Sequence, residues 1–251
     1  KSPSFTVSPT KQFYHCFGCG AHGTAIGFLM EYAGLSFVEA IHDLAKNVGM
    51  IVPVQDSTPE SRQADAKNKT IKLGLQETLQ QAANYYKAEL KKSERAIEYL
   101  KNRGLSGVIA AKFQIGYAPA GWQNLQSVFS HYEDEALTTA GLVVTNEQGK
   151  RYDRFRDRIM FPIHDQKGQV IGFGGRVINP EDTPKYYNSP ETPLFQKGHE
   201  LYGLFVARRA IRDAGRALVV EGYMDVVALA QYGIEYAVAA LGTATTPFHI
   251  T

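Results

Sequence analysis

The chain has 251 residues, enough for one or two domains that each bury a core. Lys and Arg number 27 against 25 Asp and Glu, a net charge of +2, which excludes a histone-like basic arm and an acidic solvating tail. No run approaches the roughly 18 apolar residues of a membrane-spanning helix, the first ten residues lack the apolar stretch of a secretory leader, and two cysteines cannot build a disulfide framework, so a reducing compartment is expected.

Ser4–Val7 and Gln12–Cys16 are short aromatic and β-branched runs separated by Pro9 and Thr10, the pattern of a hairpin. Ala25, Phe28, Leu29 and Tyr32 then follow helical spacing. A second helix is predicted over Ser36–Val48, with Ser36 and Glu39 as a capping box and Gly49 as its stop. Residues 55–70 are polar, without a periodic apolar face, and read as a linker. Residues 71–103 read as two helices, one with Leu75, Leu79, Ala82, Ala83 and Tyr86 on a face, the other with Ala96, Ile97 and Leu100; Gly104 ends the second.

From about 113 to 206 short strands alternate with Gly and Pro turns, and Gln166-Lys167-Gly168 before Val170–Phe173 signals a hairpin. A parallel α/β pattern begins at 216: a buried strand over Ala217–Val220, a helix over Met224–Tyr232 and a second buried strand over Tyr236–Leu241. The small net charge hides local bias, with eleven basic and seven acidic residues over 55–112 against one and four over 113–150. Neither Lys1 nor Thr251 reads as a natural terminus, so the chain is expected to be a window cut from a longer protein.

Three constellations carry chemistry. Cys16-Phe17-Gly18-Cys19-Gly20 is a knuckle whose two thiolates, three positions apart, can bite one zinc ion, the glycines allowing the tight turn. A redox pair belongs at the head of a helix, whereas this one follows an aromatic strand; two inert buried thiols fit the spacing less well. Two further ligands are needed, from His22 or from residues ahead of Lys1, since His15 should point to the opposite side of its strand.

Glu221 stands at the carboxyl end of the first α/β strand, where ligands bind in open sheets, and Asp225 falls in the first turn of the next helix. Two such carboxylates can share a hard divalent cation; otherwise they are a solvated strand-end charge and a helix charge favoured by the dipole. The loop Gly242–Thr246 should lie on the same edge.

Arg154, Arg156 and Arg158 would share one face of a strand with Phe155 pointing inward, a row suited to phosphates or, alternatively, to a surface Arg/Asp ladder. Arg176, Lys185 and Lys197 are isolated cations in Gly- and Pro-rich loops. His164, His199 and His249 have no partner pattern. Neither a P-loop nor a hydrolase nucleophile elbow is present.

The runs Phe13–Gly23, Tyr152–Arg156, Gly172–Arg176, Pro184–Tyr186, Asn188–Thr192 and Val220–Val226, in this order, resemble the bacterial replicative DNA primase family over essentially the whole chain. The resemblance implies a multidomain α+β and α/β fold: a zinc-ribbon β hairpin with helices (1–54), a linker (55–70), a mixed α+β N-terminal subdomain of an RNA polymerase domain (71–206) and the start of a Toprim parallel sheet (207–251). It implies that Cys16 and Cys19 are half of a structural Zn²⁺ site whose C-x-x-H pair precedes Lys1, so that His22 is a neighbour and not a ligand. It also implies that Glu221 and Asp225 bind catalytic Mg²⁺ or Mn²⁺, with further aspartates after Thr251.

Arg176, Lys185, Lys197 and, less closely matched, Arg103 match basic positions that the family uses for nucleotide and template, and Arg154, Arg156 and Tyr186, within or beside the matching runs, are further candidates for nucleotide or template binding. The implied activity is DNA-directed synthesis of short RNA primers from ribonucleoside triphosphates on a single-stranded DNA template. The implied setting is the bacterial cytoplasm at the replication fork, with a helicase partner engaged through a C-terminal domain outside this chain and no membrane. The competing readings are another Toprim enzyme that cleaves DNA, a topoisomerase or nuclease, and a non-catalytic zinc-ribbon DNA-binding module.

Overall fold

In the computed structural model, which describes residues 4–33, 35, 37–50, 52 and 59–242 (59–69 by backbone alone), the two opening aromatic runs form the expected hairpin. Strand β1 (Phe5–Ser8) pairs antiparallel with β2 (Phe13–Cys16), and β3 (His22–Gly23) adds a third strand that the sequence did not announce. Helix α1 (Ala25–Ala33) brings Phe28 edge-on to Tyr14 at 5.3 Å, and Phe5 stacks on Tyr14 at 5.5 Å, so Tyr14 is buried. Helix α2 (Phe37–Asn47) stops as expected at Gly49, whose positive φ of 70° lets the amides of Gly49 and Met50 close on Lys46 and Ala45. Its predicted cap, Ser36, lies outside the described residues.

Helix α3 (Pro59–Lys92) enters the polar stretch read as a linker. A linker can be helical, and the boundary between the chain's two compact units falls inside this stretch. Once Leu75, Leu79, Ala82, Ala83 and Tyr86 anchor the later turns in the core, extension through Gln, Arg, Lys and Ala is cheap, and Pro59 suits a first helical position. Ser93, extended and accepting from the Ala96 amide at 3.2 Å, separates α3 from α4 (Glu94–Asn102). Short helix α5 (Gly107–Lys112) follows. The chain divides into two compact units, Lys1–Ala64 and Asp65–Thr251.

The second unit is built on an antiparallel sheet. Strand β4 (Gly116–Ala118) opens it; the loop after it holds α6 (Glu135–Thr139) and the pair β5 (Val143–Thr145) and β6 (Arg151–Asp153). Then come β7 (Arg158–His164), β8 (Val170–Val177) and β9 (Tyr186–Asn188), giving the sheet order β4-β7-β8-β9. The predicted hairpin is the β7–β8 turn. Strand β8 is buried along its whole length, which is why Val170-Ile171-Gly172-Phe173-Gly174-Gly175 shows no alternation.

Beyond β10 (Leu201–Tyr202) and α7 (Leu204–Ala214), strand β11 (Leu218–Val220) and β12 (Ala237–Ala240) run parallel around α8 (Tyr223–Gln231), as the α/β pattern predicted. The sheet order is β10-β12-β11. Among the described residues β11 is more exposed than the expected buried strand. It is an edge strand among the described residues, and Leu218 and Val219 are 39% and 50% exposed, whereas central β12 is buried.

Glycines set how closely these layers approach. A Cβ at Gly174 of β8 would lie 2.4 Å from the Tyr223 ring of α8, which stacks on Phe161 at 5.4 Å. Gly174→Ala is therefore expected to push Tyr223 out of its stack and to cost about 1–3 kcal/mol, read as a lower melting temperature. An unchanged melting temperature would contradict this packing.

Burial and the nearby Asp165 raise the Glu200 carboxyl, just before β10, to about 7. The folded state then holds the proton more tightly than the unfolded chain. Stability falls as pH rises from the ordinary carboxyl range through about 7, and above that the full cost remains. Glu200→Gln is expected to raise the melting temperature at about pH 8 and to change it little at about pH 4.5. Equal shifts at both pH values would contradict the assignment.

Candidate functional site

At the knuckle, the Cys16 carbonyl accepts from the Gly20 amide at 2.8 Å, closing the turn. The backbone amides of Cys19 and Gly18 point at the Cys16 sulfur and hold its thiol below the ordinary range. Cys16 is half-buried and Cys19 exposed, and neither is in a disulfide. Two thiols on a turn whose amides favour negative charge on the Cys16 sulfur have the donor chemistry of a zinc knuckle. His22 instead has Nδ1 2.9 Å from the Gly20 carbonyl, and it faces His15 across the β2–β3 pair. Among the described residues no three metal-ligating side chains converge.

Glu221 and Asp225 are both exposed beyond the carboxyl end of β11, separated by the Gly222 turn. The Asp225 carboxylate accepts from the Gly222 amide at 3.1 Å, which satisfies one unpaired amide of the α8 N-terminus and fixes the side chain. Two exposed oxygen donors at this edge suit a hard cation. Thr243–Thr246 and His249 lie outside the described residues.

Arg154, Arg156 and Arg158 do not share a strand face. Residues 154–157 form a bend between β6 and β7, and Asp157 has a φ of 50°, so strand alternation is broken. The three guanidiniums nevertheless line one cavity of about 450 Å³ with Tyr152, Thr183, Pro184 and Tyr187. Arg154 donates to the Tyr187 hydroxyl at 2.7 Å, Arg156 to the Asp153 carbonyl at 2.7 Å and Arg158 to the Pro184 carbonyl at 2.9 Å.

The Arg/Asp ladder is not formed. Asp153 is buried and accepts from the Tyr132 hydroxyl and the Leu125 amide, while Asp157 pairs with Arg95. Among the described residues none of the three arginines is in a salt bridge. Phe155 is buried as expected. Trp122, 55% exposed, lies 4.1 Å under the Arg156 guanidinium and edge-on to Tyr152, so a flat aromatic surface adjoins the cationic cavity.

A second cluster gathers Arg103, Arg176 and Tyr186. Arg176, only 6% exposed on β8, donates to the hydroxyls of Tyr99 and Tyr186 and lies 4.9 Å over the Tyr186 ring. Arg103, at the end of α4, sits 5.5 Å over the same Tyr99. Asn188 of β9 ties this cluster to the α/β segment, accepting from the Tyr223 hydroxyl at 2.7 Å and donating to the Leu241 carbonyl at 3.1 Å.

Lys185 and Lys197 stand apart in loops, their ammonium groups in no hydrogen bond or ion pair among the described residues; the Lys197 amide donates to Glu191. Trp122, Tyr99 and Tyr187 were not among the expected site residues, and Asn188 and Tyr223 entered only within the runs that carry the family resemblance. Only Tyr99 had a local signal, lying four residues before Arg103 on one helix.

Three family models match the chain in succession: the CHC2 zinc finger over 1–60, the DNA primase catalytic core N-terminal domain over 85–208 and the Toprim domain over 215–251. Among curated relatives, DNA primase of Neisseria meningitidis is 57% identical over 250 residues, and that of Escherichia coli K12 is 51% identical over 254. Both alignments cover 100% of this chain but only 42% and 43% of the relatives, so the chain spans about two-fifths of their length.

Among solved structures, the DnaG primase catalytic domain bound to ssDNA aligns with TM-score 0.68 at 50% identity, covering 72% of this chain and 60% of that one. The Aquifex aeolicus primase, with zinc-binding and RNA polymerase domains, aligns with TM-score 0.64 at 36% identity, covering 99% and 59%. No helix among the described residues is long and apolar enough to cross a membrane. With zinc finger, primase core and Toprim start following one another in this order, the chain belongs to the DNA primase family.

Proposed function

We propose that this chain supplies the template-holding surface and part of the metal-holding surface of an enzyme that synthesises short RNA primers on single-stranded DNA. The observation that carries this reading is the cavity of Arg154, Arg156 and Arg158, unpaired with any carboxylate among the described residues and flanked by exposed Trp122. Cations that track a phosphate backbone beside an aromatic plate are what a single strand, with its bases free to stack, requires. A duplex hides its base faces and uses only the cations.

In this reading Arg154 and Arg156 hold template phosphates. Arg103, Arg176, Lys185 and Lys197 hold the triphosphate of an incoming ribonucleotide and the adjacent template, with the Tyr186 hydroxyl orienting Arg176. Glu221 and Asp225 hold a divalent ion, Mg²⁺ or Mn²⁺, and Asp225 is oriented for this by the Gly222 amide. The ion, when bound, offsets charge on the transferring phosphoryl group. Cys16 and Cys19 supply two donors to a structural zinc in a ribbon that contacts the template. A replicative helicase, engaged through another part of the full-length protein, would deliver that template in the bacterial cytoplasm.

Trp122 is the chain's one tryptophan and lies against Arg156, which makes it a reporter of the cavity. Adding a single-stranded oligonucleotide is expected to quench its emission, and the quench should disappear in Trp122→Phe and weaken as salt rises. Emission unchanged at saturating oligonucleotide would contradict template binding at this cavity.

A further inference from the structure

Asp157 interrupts a row of cations, where an acidic residue opposes the binding of a polyanion. Its geometry suggests why it is there. Its backbone is left-handed, a conformation that Asp tolerates better than most side-chain-bearing residues. Three contacts fix that conformation. Arg95 of α4 forks onto both carboxylate oxygens at 2.9 and 3.0 Å, the Tyr117 hydroxyl of β4 donates to Oδ1 at 2.8 Å, and the Asp157 amide donates to the Pro119 carbonyl at 3.2 Å. The fork is the geometry that gives Arg–carboxylate pairs their directional strength.

Residues on either side of the left-handed turn no longer follow the two-residue alternation of a strand. Arg154 then reaches Tyr187, Arg158 reaches the Pro184 carbonyl, and Arg156 turns onto Trp122. Arg95 also neutralises the carboxylate, so the turn is held without leaving a net negative charge in the cavity.

We propose that Asp157 is a positioning residue, clamped by Arg95 and Tyr117, that aims Arg154, Arg156 and Arg158 into one phosphate-binding cavity; this rests on the template-binding reading of that cavity. The proposal has a sign that simple electrostatics lacks. Removing a negative charge beside three arginines should tighten binding of a polyanion if charge were all that Asp157 contributed. Positioning requires the reverse.

The test is the affinity of the full-length protein for a fluorescein-labelled oligothymidine, measured over a range of salt. Asp157→Gly keeps access to the left-handed turn but loses the clamp. It is expected to bind roughly 10-fold more weakly, with a salt slope shallower by about 0.7, the loss of one phosphate contact. Asp157→Asn, which keeps an acceptor for Tyr117, should recover part of the affinity. In an Arg95→Met background Asp157→Gly should have little further effect, because the two residues act as one unit.

Circular dichroism and melting of Asp157→Gly establish that it folds; if it does not, the Asp157→Asn variant carries the same comparison. Affinity equal to or tighter than wild type in a folded Asp157 variant overturns the positioning role. Arg154→Ala/Arg156→Ala keeps the two readings apart. If that double variant binds as wild type, the template reading itself has failed; if it loses affinity while the Asp157 variants do not, only the positioning role has.

Discussion

Arg154→Ala/Arg156→Ala in the full-length protein is expected to lower affinity for single-stranded DNA by about 100-fold at low salt, and by less as salt rises. Each arginine holds one phosphate in this account, and each phosphate contact on a single strand contributes about 0.7 to the slope of log affinity against log salt. The double variant should therefore flatten that slope by roughly 1.4. Neither guanidinium is in a salt bridge among the described residues, although Arg156 offsets part of the charge of buried Asp153, so melting should fall only slightly. That separates this pair from Arg158, which is 8% exposed and bonded to the Pro184 carbonyl, so that its loss should cost stability as well. An unchanged salt slope in the double variant would show that these arginines do not touch the backbone.

Glu221→Gln should reduce primer synthesis by at least about 1,000-fold, in the range of losing a major electrostatic contribution to a transition state. It should leave single-strand binding nearly intact. The substitution keeps the size and hydrogen-bonding reach of the side chain and removes only its charge. Glu221 is exposed, so there is no core to disturb. Asp225→Asn should act in the same direction with an added cost to α8, because the Asp225 carboxylate also accepts from the Gly222 amide. Normal synthesis by the Glu221 variant would remove that residue from the metal-holding pair.

The elements that could be read from the sequence are those governed by local rules. The buried face of α3 follows from helical spacing, the stops of α2 and α4 from Gly49 and Gly104, and the strand–turn–helix around Gly222 from a buried-type run followed by a glycine. What depends on distant partners has no local signal. The burial of Leu218–Val220 depends on which strands flank it, and the helical course of 59–70 on the anchoring of later turns.

The arginine trio, expected on one strand face, lines one cavity instead. Its members meet across the left-handed turn at Asp157, whose carboxylate pairs with Arg95, 62 positions away in sequence. Trp122 carried no local signal at all; its role comes from the side chain of Arg156 lying across it. Charged residues of this kind stand out in a sequence, whereas the neutral residues packed against them do not.

The central claim is templated RNA synthesis, and its most direct test gives the full-length protein a single-stranded DNA template, ribonucleoside triphosphates and Mg²⁺, then resolves the products on a denaturing gel. The account predicts short RNAs, complementary to the template, that are absent without template or metal and absent with Glu221→Gln. Template cleavage without new RNA, or binding with neither product, would contradict it.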